Sequence, residues 1–300
     1  MVIVRIADGL GNQFFQYATG LALARRLKTR LVLDASEFQR DKFREYELGH
    51  FQITAKPWTD REKFWASLGI QITQPPRERK AWPLRTARRL ARWCLKNQLF
   101  TYVHDHHRGY EPGIFRQRGN VYLKGIWCSE HYFSGIADEI RCEFAFAHPP
   151  EGQNKVVMEH ILSCAAICVH VRRGDLLTHP TAVALYETCN VDYYQKAFER
   201  LRRVVADPVV FVFSDDPDWA RANLSFPCET VYVTHNVGSK NYEDFRLMRA
   251  CRHFIIANST FSWWAAWLAD FPGKQVIAPQ RWFRDPNRLG DFVPESWIRM

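Results

Sequence analysis

The sequence contains no apolar run of about 18 or more residues, the length that a membrane-spanning helix needs. Its first residues pass from an apolar run into Arg5 and Asp8, which is not the pattern of a secretory signal. Short-period repeats and low-complexity tracts are also missing, which argues against solenoid and fibrous proteins. We therefore expect a soluble globular protein of the cytoplasm.

The eight cysteines include no C-x-x-C pair, the spacing that zinc sites and redox motifs commonly use. Several of them, such as Cys168 and Cys251, lie in or beside apolar runs. Small apolar thiols in such places are typical of reduced core residues in a cytosolic protein. The sequence therefore predicts neither a disulfide framework nor a structural zinc site.

The net charge of +9 is concentrated in one segment, where residues 77–96 hold eight Lys or Arg against the single acid Glu78. Its spacing predicts an amphipathic helix with Arg85, Arg89 and Arg92 on the basic face. This helix is either simply solvated or attached to an anionic membrane surface, which would place the protein at the inner face of the membrane. Nucleic-acid binding is disfavoured, because the remaining sequence is close to charge-neutral.

Apolar and helical patterns alternate along the chain in the order that α/β folds use. Residues 2–7, 12–28 and 31–34 predict a strand, a helix and a second strand, and Pro149 to Gly152 predicts a linker. After this linker, five short apolar runs alternate with helical stretches, which indicates a parallel sheet covered by helices. We expect two Rossmann-like domains, residues 1–150 and 151–300, with parallel sheets that face a central cleft.

A glycine turn follows the first predicted strand. Gly9-Leu10-Gly11 resembles a dinucleotide fingerprint, but Phe14 stands where the third glycine would be required, so a nicotinamide or flavin cofactor is not expected. A glycine turn that leads into a helix still offers backbone N–H groups to an anion or a sugar. Gly11, Asn12 and Gln13 are therefore candidate ligand contacts, and the alternative is a plain turn with a capping Asn.

The strand predicted over residues 166–171 is followed by Arg172-Arg173-Gly174-Asp175. Arginine offers a planar fork of donors that suits phosphate oxygens, and ligands of open α/β sheets lie beyond the carboxyl ends of the strands. The alternative for one of the two arginines is a salt bridge to Asp175 or another acid. Alternation along the strand places His170 on the same face as Arg172.

Two further polar clusters follow predicted strands. Ser214-Asp215-Asp216 could bind a metal, but Asp216 also reads as the start of a helix, which leaves Asp215 as the candidate for ribose or guanine contacts. Ser259 and Thr260 precede a helix whose N-terminus can receive phosphate. The tryptophans of that helix are expected in the core.

Four segments together resemble the bacterial α-1,2-fucosyltransferases of glycosyltransferase family 11: residues 9–18, 170–175, 213–216 and 258–268. They occur in the order of that family, and Pro294-Glu295-Ser296-Trp297 is similar to its C-terminus. Two positions depart from the family pattern. Asp8 stands where a glycine is expected, and Leu176-Leu177 stands where an aromatic residue often follows the arginine motif. Both departures bear on the choice of acceptor.

The resemblance implies a GT-B fold and transfer of fucose from GDP-β-L-fucose to the 2-hydroxyl of a galactose, with inversion and without a metal. It assigns the β-phosphate to Arg172, phosphate and base contacts to Thr260 and Phe261, and the guanosine to Asp215. Asp8, His170 and Asp175 are candidates for the general base, and departing phosphate could also take the proton. Another linkage or nucleotide sugar, and a non-enzymatic nucleotide- or polyanion-binding protein, remain alternatives.

Overall fold

The computed structural model describes residues 1–39, 44–59, 100–105, 109–285 and 291–300, without the side chains of residues 175 and 181. The predicted basic helix with Arg85, Arg89 and Arg92 lies outside the described residues. The chain divides into two compact units, with the main division between Phe144 and Ala145. Two short stretches of the N-terminal half, Gly9–Asn12 and His50–Gln52, belong to the second unit.

The first unit contains a five-stranded parallel sheet in the order β3-β2-β1-β5-β4. Its elements, in chain order, are β1 Val2–Arg5, α1 Leu10–Arg26, β2 Leu31–Asp34, β3 Lys56–Pro57, β4 Phe100–His104, β5 Asn120–Lys124 and α2 Ala137–Glu143. The predicted strand, helix and strand at the N-terminus are thereby confirmed. Helix α1 begins at Leu10, so Gly11 and Asn12 lie in its first turn and not in a loop before it.

The second unit contains a six-stranded parallel sheet in the order β11-β10-β9-β6-β7-β8. Its strands are β6 Ala165–Val171, β7 Pro208–Ser214, β8 Thr230–Val233, β9 His253–Ile255, β10 Val276–Ala278 and β11 Ile298–Arg299. Its helices are α3 Gly152–Ser163, α4 Gly174–Thr178, α5 Pro180–Leu185, α6 Val191–Leu201, α7 Pro217–Asn223, α8 Asn241–Ala250 and α9 Thr260–Leu268. The five strands predicted after residue 150 are all present.

Short 3-10 helices connect several of these elements, at Ser36–Gln39, Leu48–His50, Pro112–Arg116, Glu130–Tyr132, Ser134–Ile136 and Gly238–Lys240. Sequence reasoning missed α3, which begins inside the predicted linker, and the short pair α4 and α5 that follows the arginine motif. Pro180 opens α5 and is preceded by an extended His179, as expected for proline in the first turn of a helix. This break separates α5 from α4.

The core of the second unit lies where β6 and β7 run side by side with completely buried side chains such as Ile167 and Val210. Strands covered on both faces have continuous apolar sequences, which explains why these strands could be predicted. Helix α9 is also buried from Ser262 to its end, with Trp263 and Trp264 fully covered and Trp267 7% exposed. The expectation that these tryptophans form part of the core is confirmed.

Candidate active site

The strand order of the second unit reverses at β6, because β7 and β8 lie on one side of it and β9, β10 and β11 on the other. Ligands of open α/β sheets bind beyond the carboxyl ends of the strands at such a switch point. Arg172 follows β6, and Ser259 follows β9, its neighbour in the sheet. The fold therefore brings two of the predicted site residues to the position where a ligand is expected.

Arg172 and Ser259 lie side by side, with 3.5 Å between the Arg172 Nη1 atom and the Ser259 hydroxyl oxygen. The same hydroxyl accepts a hydrogen bond of 3.3 Å from the backbone N–H of Phe261 and caps the N-terminus of α9. A guanidinium thus stands beside a helix N-terminus, and both attract negative charge. The arrangement suits an anion, Thr260 and Phe261 occupy the first helical turn, and their predicted contacts with a ligand stay predictions.

Gly11 lies directly against this helix start. A Cβ atom at Gly11 would lie 2.4 Å from the Thr260 carbonyl carbon and 2.6 Å from the Phe261 nitrogen. These distances are far shorter than the usual contact of about 3.5–4.0 Å between carbon atoms. The glycine therefore permits a close approach of two backbones, and its predicted contact with a ligand stays a prediction. Asn12, whose backbone N–H donates to the Gly9 carbonyl over 2.9 Å, has a half-buried side chain.

Gln13 requires a correction. Its side chain is completely buried, and its amide nitrogen donates to the Asp8 and Glu45 carbonyls over 2.9 and 2.8 Å. Its amide oxygen accepts from the Glu47 backbone N–H over 3.0 Å. Both ends of the amide are thus used to fasten the chain around residues 45–47. Gln13 is a structural residue and not a ligand contact.

Asp215 supports the turn that follows β6. Its two carboxylate oxygens accept hydrogen bonds from the backbone N–H groups of Arg173 and Gly174, over 2.8 and 3.1 Å. A Cβ atom at Gly174 would lie 3.1 Å from the same carboxylate, so the glycine lets the turn close on it. Asp215 therefore holds the backbone beside Arg172 in place, and its predicted contact with guanosine stays a prediction.

Arg173 differs clearly from Arg172. Its Nε atom lies 3.2 Å from an Asp216 carboxylate oxygen, and its guanidinium stacks 3.8 Å above the centre of the Trp219 ring. Asp216 also accepts a hydrogen bond from the Trp219 backbone N–H and caps α7. The structural alternative therefore applies to Arg173, with Asp216 as its partner. The side chain of Asp175 lies outside the described residues.

His170 is buried near the end of β6, with 8% of its surface exposed and its ring 6.0 Å from that of Phe261. Burial and, secondarily, the charge of Arg172 lower the pKa of His170 to about 3. A general base is most effective when its pKa lies near the working pH. His170 is therefore neutral at physiological pH and a weak base there, which disfavours it as the proton acceptor, and its role stays a prediction.

Asp8 follows β1 in the first unit, and its side chain is exposed. Its φ angle is 66°, in the left-handed region that glycine adopts most easily and that Asp tolerates better than most residues. Its carbonyl accepts the hydrogen bond from Gln13. The departure from glycine at this position therefore places a carboxylate on a backbone turn that would suit glycine.

Comparison with known proteins assigns the family. The model described as Glycosyl transferase family 11 matches residues 1–298 of this chain. The chain belongs to glycosyltransferase family 11. It is therefore an enzyme of the fucosyltransferase-containing family that the four sequence segments resemble, and that resemblance is confirmed.

Two Escherichia coli proteins are similar to this chain over essentially their whole length. The chain is 32% identical to the O-antigen biosynthesis glycosyltransferase WbnK, over 98% of this chain and 99% of that protein. It is 28% identical to an α-1,2-colitosyltransferase, over 100% of this chain and 99% of that protein. Galactoside α-(1,2)-fucosyltransferase 1 of Ateles belzebuth is 29% identical, over 59% of this chain and 51% of that protein.

Among solved structures, a mutant of Arabidopsis thaliana FUT1 in complex with GDP superposes with a TM-score of 0.54. The alignment covers 92% of this chain and 69% of that chain, at 14% sequence identity. A likeness at this identity concerns the fold alone. With the two parallel sheets, it confirms the α/β class and GT-B type expected for a family 11 glycosyltransferase.

One polar network of this glycosyltransferase was not foreseen from the sequence. His235 and Asn236 follow β8, and both contact the Asn154 amide oxygen, over 2.7 and 2.9 Å. Asn236 also donates to Asp244 over 2.8 Å. Burial raises the pKa of Asp244 to about 7, partly offset by this hydrogen bond and reinforced by the charge of Glu243. No spacing signal could have revealed the network, because Asn154 lies on the distant helix α3.

The described part of the chain shows neither a metal-binding cluster nor a membrane-spanning helix. In that part, no group of three or more His, Cys, Asp or Glu residues is arranged to hold a metal ion. None of its helices is long and apolar enough to cross a membrane. The seven cysteines within the described ranges are all free thiols.

Proposed function

We propose that this family 11 enzyme transfers L-fucose from GDP-β-L-fucose to the 2-hydroxyl of a β-galactoside, with inversion at the anomeric carbon and without a metal ion. The observation that carries the proposal is the meeting of Arg172, Ser259 and the N-terminus of α9 at the switch point of the second sheet. A guanidinium beside oriented backbone N–H groups can hold a diphosphate. The donor is therefore assigned to the second unit.

In the reaction, the acceptor oxygen forms a bond to the anomeric carbon while the bond between that carbon and the β-phosphate oxygen breaks. Negative charge then grows on the leaving GDP. Arg172 and the first turn of α9 would stabilise this charge, a task that a divalent cation performs in many other transferases. Asp215 contributes indirectly, because it fixes the turn that positions Arg172.

The acceptor hydroxyl must lose its proton during transfer. His170 is poorly suited to take it, since its pKa is lowered to about 3 by burial and by Arg172. Asp8, Asp175 and the departing phosphate remain as candidate acceptors. A path in which the phosphate takes the proton needs no side-chain base, and it agrees with a site dominated by phosphate-binding groups.

The assay supplies GDP-fucose together with EDTA and one of three acceptors: lactose, N-acetyllactosamine or lacto-N-biose. We expect release of GDP and a product whose linkage, determined by NMR, is α-1,2 to galactose. Absence of turnover with all three acceptors would refute the proposed acceptor class. An absolute requirement for added Mn²⁺ or Mg²⁺ would refute the metal-free mechanism.

Colitose is a second candidate sugar, because the full-length relative from Escherichia coli is an α-1,2-colitosyltransferase. Colitose is fucose without its 3-hydroxyl, so Arg172 and α9 would bind the diphosphate of either donor alike. Competition between GDP-fucose and GDP-colitose at equal concentration decides between them. We expect the larger kcat/KM for GDP-fucose, and a larger value for GDP-colitose would reassign the donor.

Attachment to an anionic membrane through the basic segment is a separate proposal. We expect the protein to co-sediment with vesicles that contain phosphatidylglycerol but not with neutral vesicles, because each basic residue near such a surface contributes about 1 kcal/mol. Reversal of charge at Arg85, Arg89 and Arg92 should abolish this binding while leaving turnover of soluble acceptors unchanged. Failure of the unaltered protein to co-sediment would contradict the proposal.

A further inference from the structure

Asn258 is the residue immediately before the helix cap Ser259, and it is 1% exposed. Its amide nitrogen donates to two backbone carbonyls, those of Glu187 and Trp282, the latter over 3.2 Å. Both neighbours are acceptors, so only the nitrogen end of the amide can face them. The amide oxygen is buried and has no hydrogen-bond partner among the residues that the structure describes. The side chain is thus oriented entirely by the two segments that it joins.

The two segments joined by Asn258 are also bound to each other. We call residues 174–187 the arginine-side segment and residues 280–284 the β10-side segment. Tyr186 and Phe283 form an antiparallel backbone bridge, and their rings lie 5.2 Å apart. Arg284 donates from its backbone to the Leu185 carbonyl over 3.0 Å and from its side chain to the Val183 carbonyl over 2.8 Å. They therefore form one connected layer.

Along the sequence, this layer adjoins the residues that are proposed to bind phosphate. The arginine-side segment starts two residues after Arg172, and Asn258 precedes the Ser259 hydroxyl that lies 3.5 Å from Arg172. Asn258 is the point where the layer is fastened to the end of β9. A shift of the layer would therefore act on Arg172 from one side and on Ser259 from the other.

We propose that Asn258 is a positioning residue for the donor diphosphate, because its amide ties the arginine-side and β10-side segments to the strand end that presents Ser259 and α9 to Arg172. This inference rests on the proposed function, in which Arg172 holds the diphosphate. Asn258 itself does not contact the ligand. It keeps the binding-competent arrangement populated before the donor arrives.

The chain offers a matched control in Tyr193. Its hydroxyl is also a side-chain donor shared by two backbone carbonyls, that of Ile256 just after β9 and that of Ile277 in β10, over 2.7 and 3.2 Å. It reaches neither of the two segments. Tyr193→Phe therefore removes a comparable tie from the same sheet without releasing the layer.

The experiment compares Asn258→Ala, Tyr193→Phe and the unaltered protein by hydrogen exchange without ligand and by calorimetric titration with GDP. We expect Asn258→Ala to exchange faster in peptides covering residues 174–187 and 280–284 and to bind GDP about tenfold more weakly. That is the result if the competent arrangement falls to about one tenth of molecules, since the apparent Kd scales inversely with this fraction. Tyr193→Phe should show neither change.

If Asn258→Ala and Tyr193→Phe bind GDP equally well, or exchange equally fast in residues 174–187 and 280–284, the role of Asn258 is overturned while the proposed donor still stands. Absence of GDP binding by the unaltered protein would instead refute the proposed donor and the Asn258 proposal with it. If Asn258→Ala loses its cooperative unfolding transition, Arg284→Ala decides, because Arg284 is exposed and joins the same two segments. Faster exchange and weaker GDP binding in Arg284→Ala support the proposal, and no change in either overturns it.

Discussion

Substitution of Gly11 by alanine tests how closely the chain at Gly11 must approach the start of α9, the helix proposed to bind phosphate. The added Cβ would lie 2.4 Å from the Thr260 carbonyl carbon and 2.6 Å from both the Thr260 hydroxyl oxygen and the Phe261 nitrogen. Restoring a carbon contact of about 3.5 Å requires the two backbones to separate by roughly 1 Å. Two of the three contacted atoms belong to the main chain, so rotation of a side chain cannot relieve the clash.

We expect Gly11→Ala to lower the free energy of unfolding by about 1–3 kcal/mol, the usual penalty for inserting a methyl group into a packed site. The effect on turnover should be larger. A displacement of about 1 Å in a group that positions the reacting centre can reduce the rate about 10²-fold. Because α9 and Ser259 would move relative to Arg172, we expect kcat/KM for GDP-fucose to fall by about that factor.

Gly20→Ala in the same helix provides the control. Its Cβ would lie 2.9 Å from a Leu31 methyl carbon and 3.1 Å from a Val4 methyl carbon, which are side-chain atoms of the first sheet. Urea unfolding should therefore show a similar loss of stability, whereas kcat/KM of the folded protein should stay near that of the unaltered enzyme. Unchanged stability and turnover in Gly11→Ala, or equal loss of turnover in both variants, would refute the reasoning.

Three further predictions concern the strand ends. Arg172→Lys should reduce kcat/KM about 10²-fold or more with the fold retained, because lysine lacks the bidentate fork; near-normal kinetics would argue against the phosphate contact. His170, whose pKa falls from 6.5 in the unfolded chain to about 3, binds its proton mainly when unfolded, so stability should decrease as pH falls from 6.5 toward 3. Urea titrations of His170→Gln should show a smaller decrease over that window, and identical pH dependence would contradict the assignment. Asp8→Gly should keep the unfolding free energy within about 1 kcal/mol and alter mainly the acceptor KM, because φ at residue 8 is 66°. A fall in kcat of about 10² or more would instead identify the Asp8 carboxylate as the proton acceptor.

Much of the second unit was predictable from the sequence, because its central strands are buried on both faces and therefore read as uninterrupted apolar runs. The position of Arg172 beyond β6 and of Ser259 beyond β9 followed from the same pattern. Strand order was not predictable, since it depends on which strands pair. Only the order β9-β6-β7 brings these two residues together at a switch point.

The residues for which the sequence alone was misleading are those whose partners lie far along the chain. Gln13 stands in a sequence segment that suggested ligand binding, yet its amide is used by the backbone of residues 8, 45 and 47. The sequence shows His170 two residues before Arg172, but only the packing around it shows that burial lowers its pKa to about 3. Burial and hydrogen-bond partners are properties of the folded chain that no local pattern encodes.

The sequence by itself thus determined the family and the α/β class and pointed to Arg172 as the proposed donor contact, because strand ends and motif order are local features. Only the tertiary structure decided which partner each polar side chain contacts. In the fold, Arg173 contacts Asp216 and Trp219, and Asp215 accepts hydrogen bonds from the turn beside Arg172. Asn258 joins the two segments that contain Glu187 and Trp282. The physical reason is that a hydrogen-bonding group binds whichever partner the fold brings within about 3 Å.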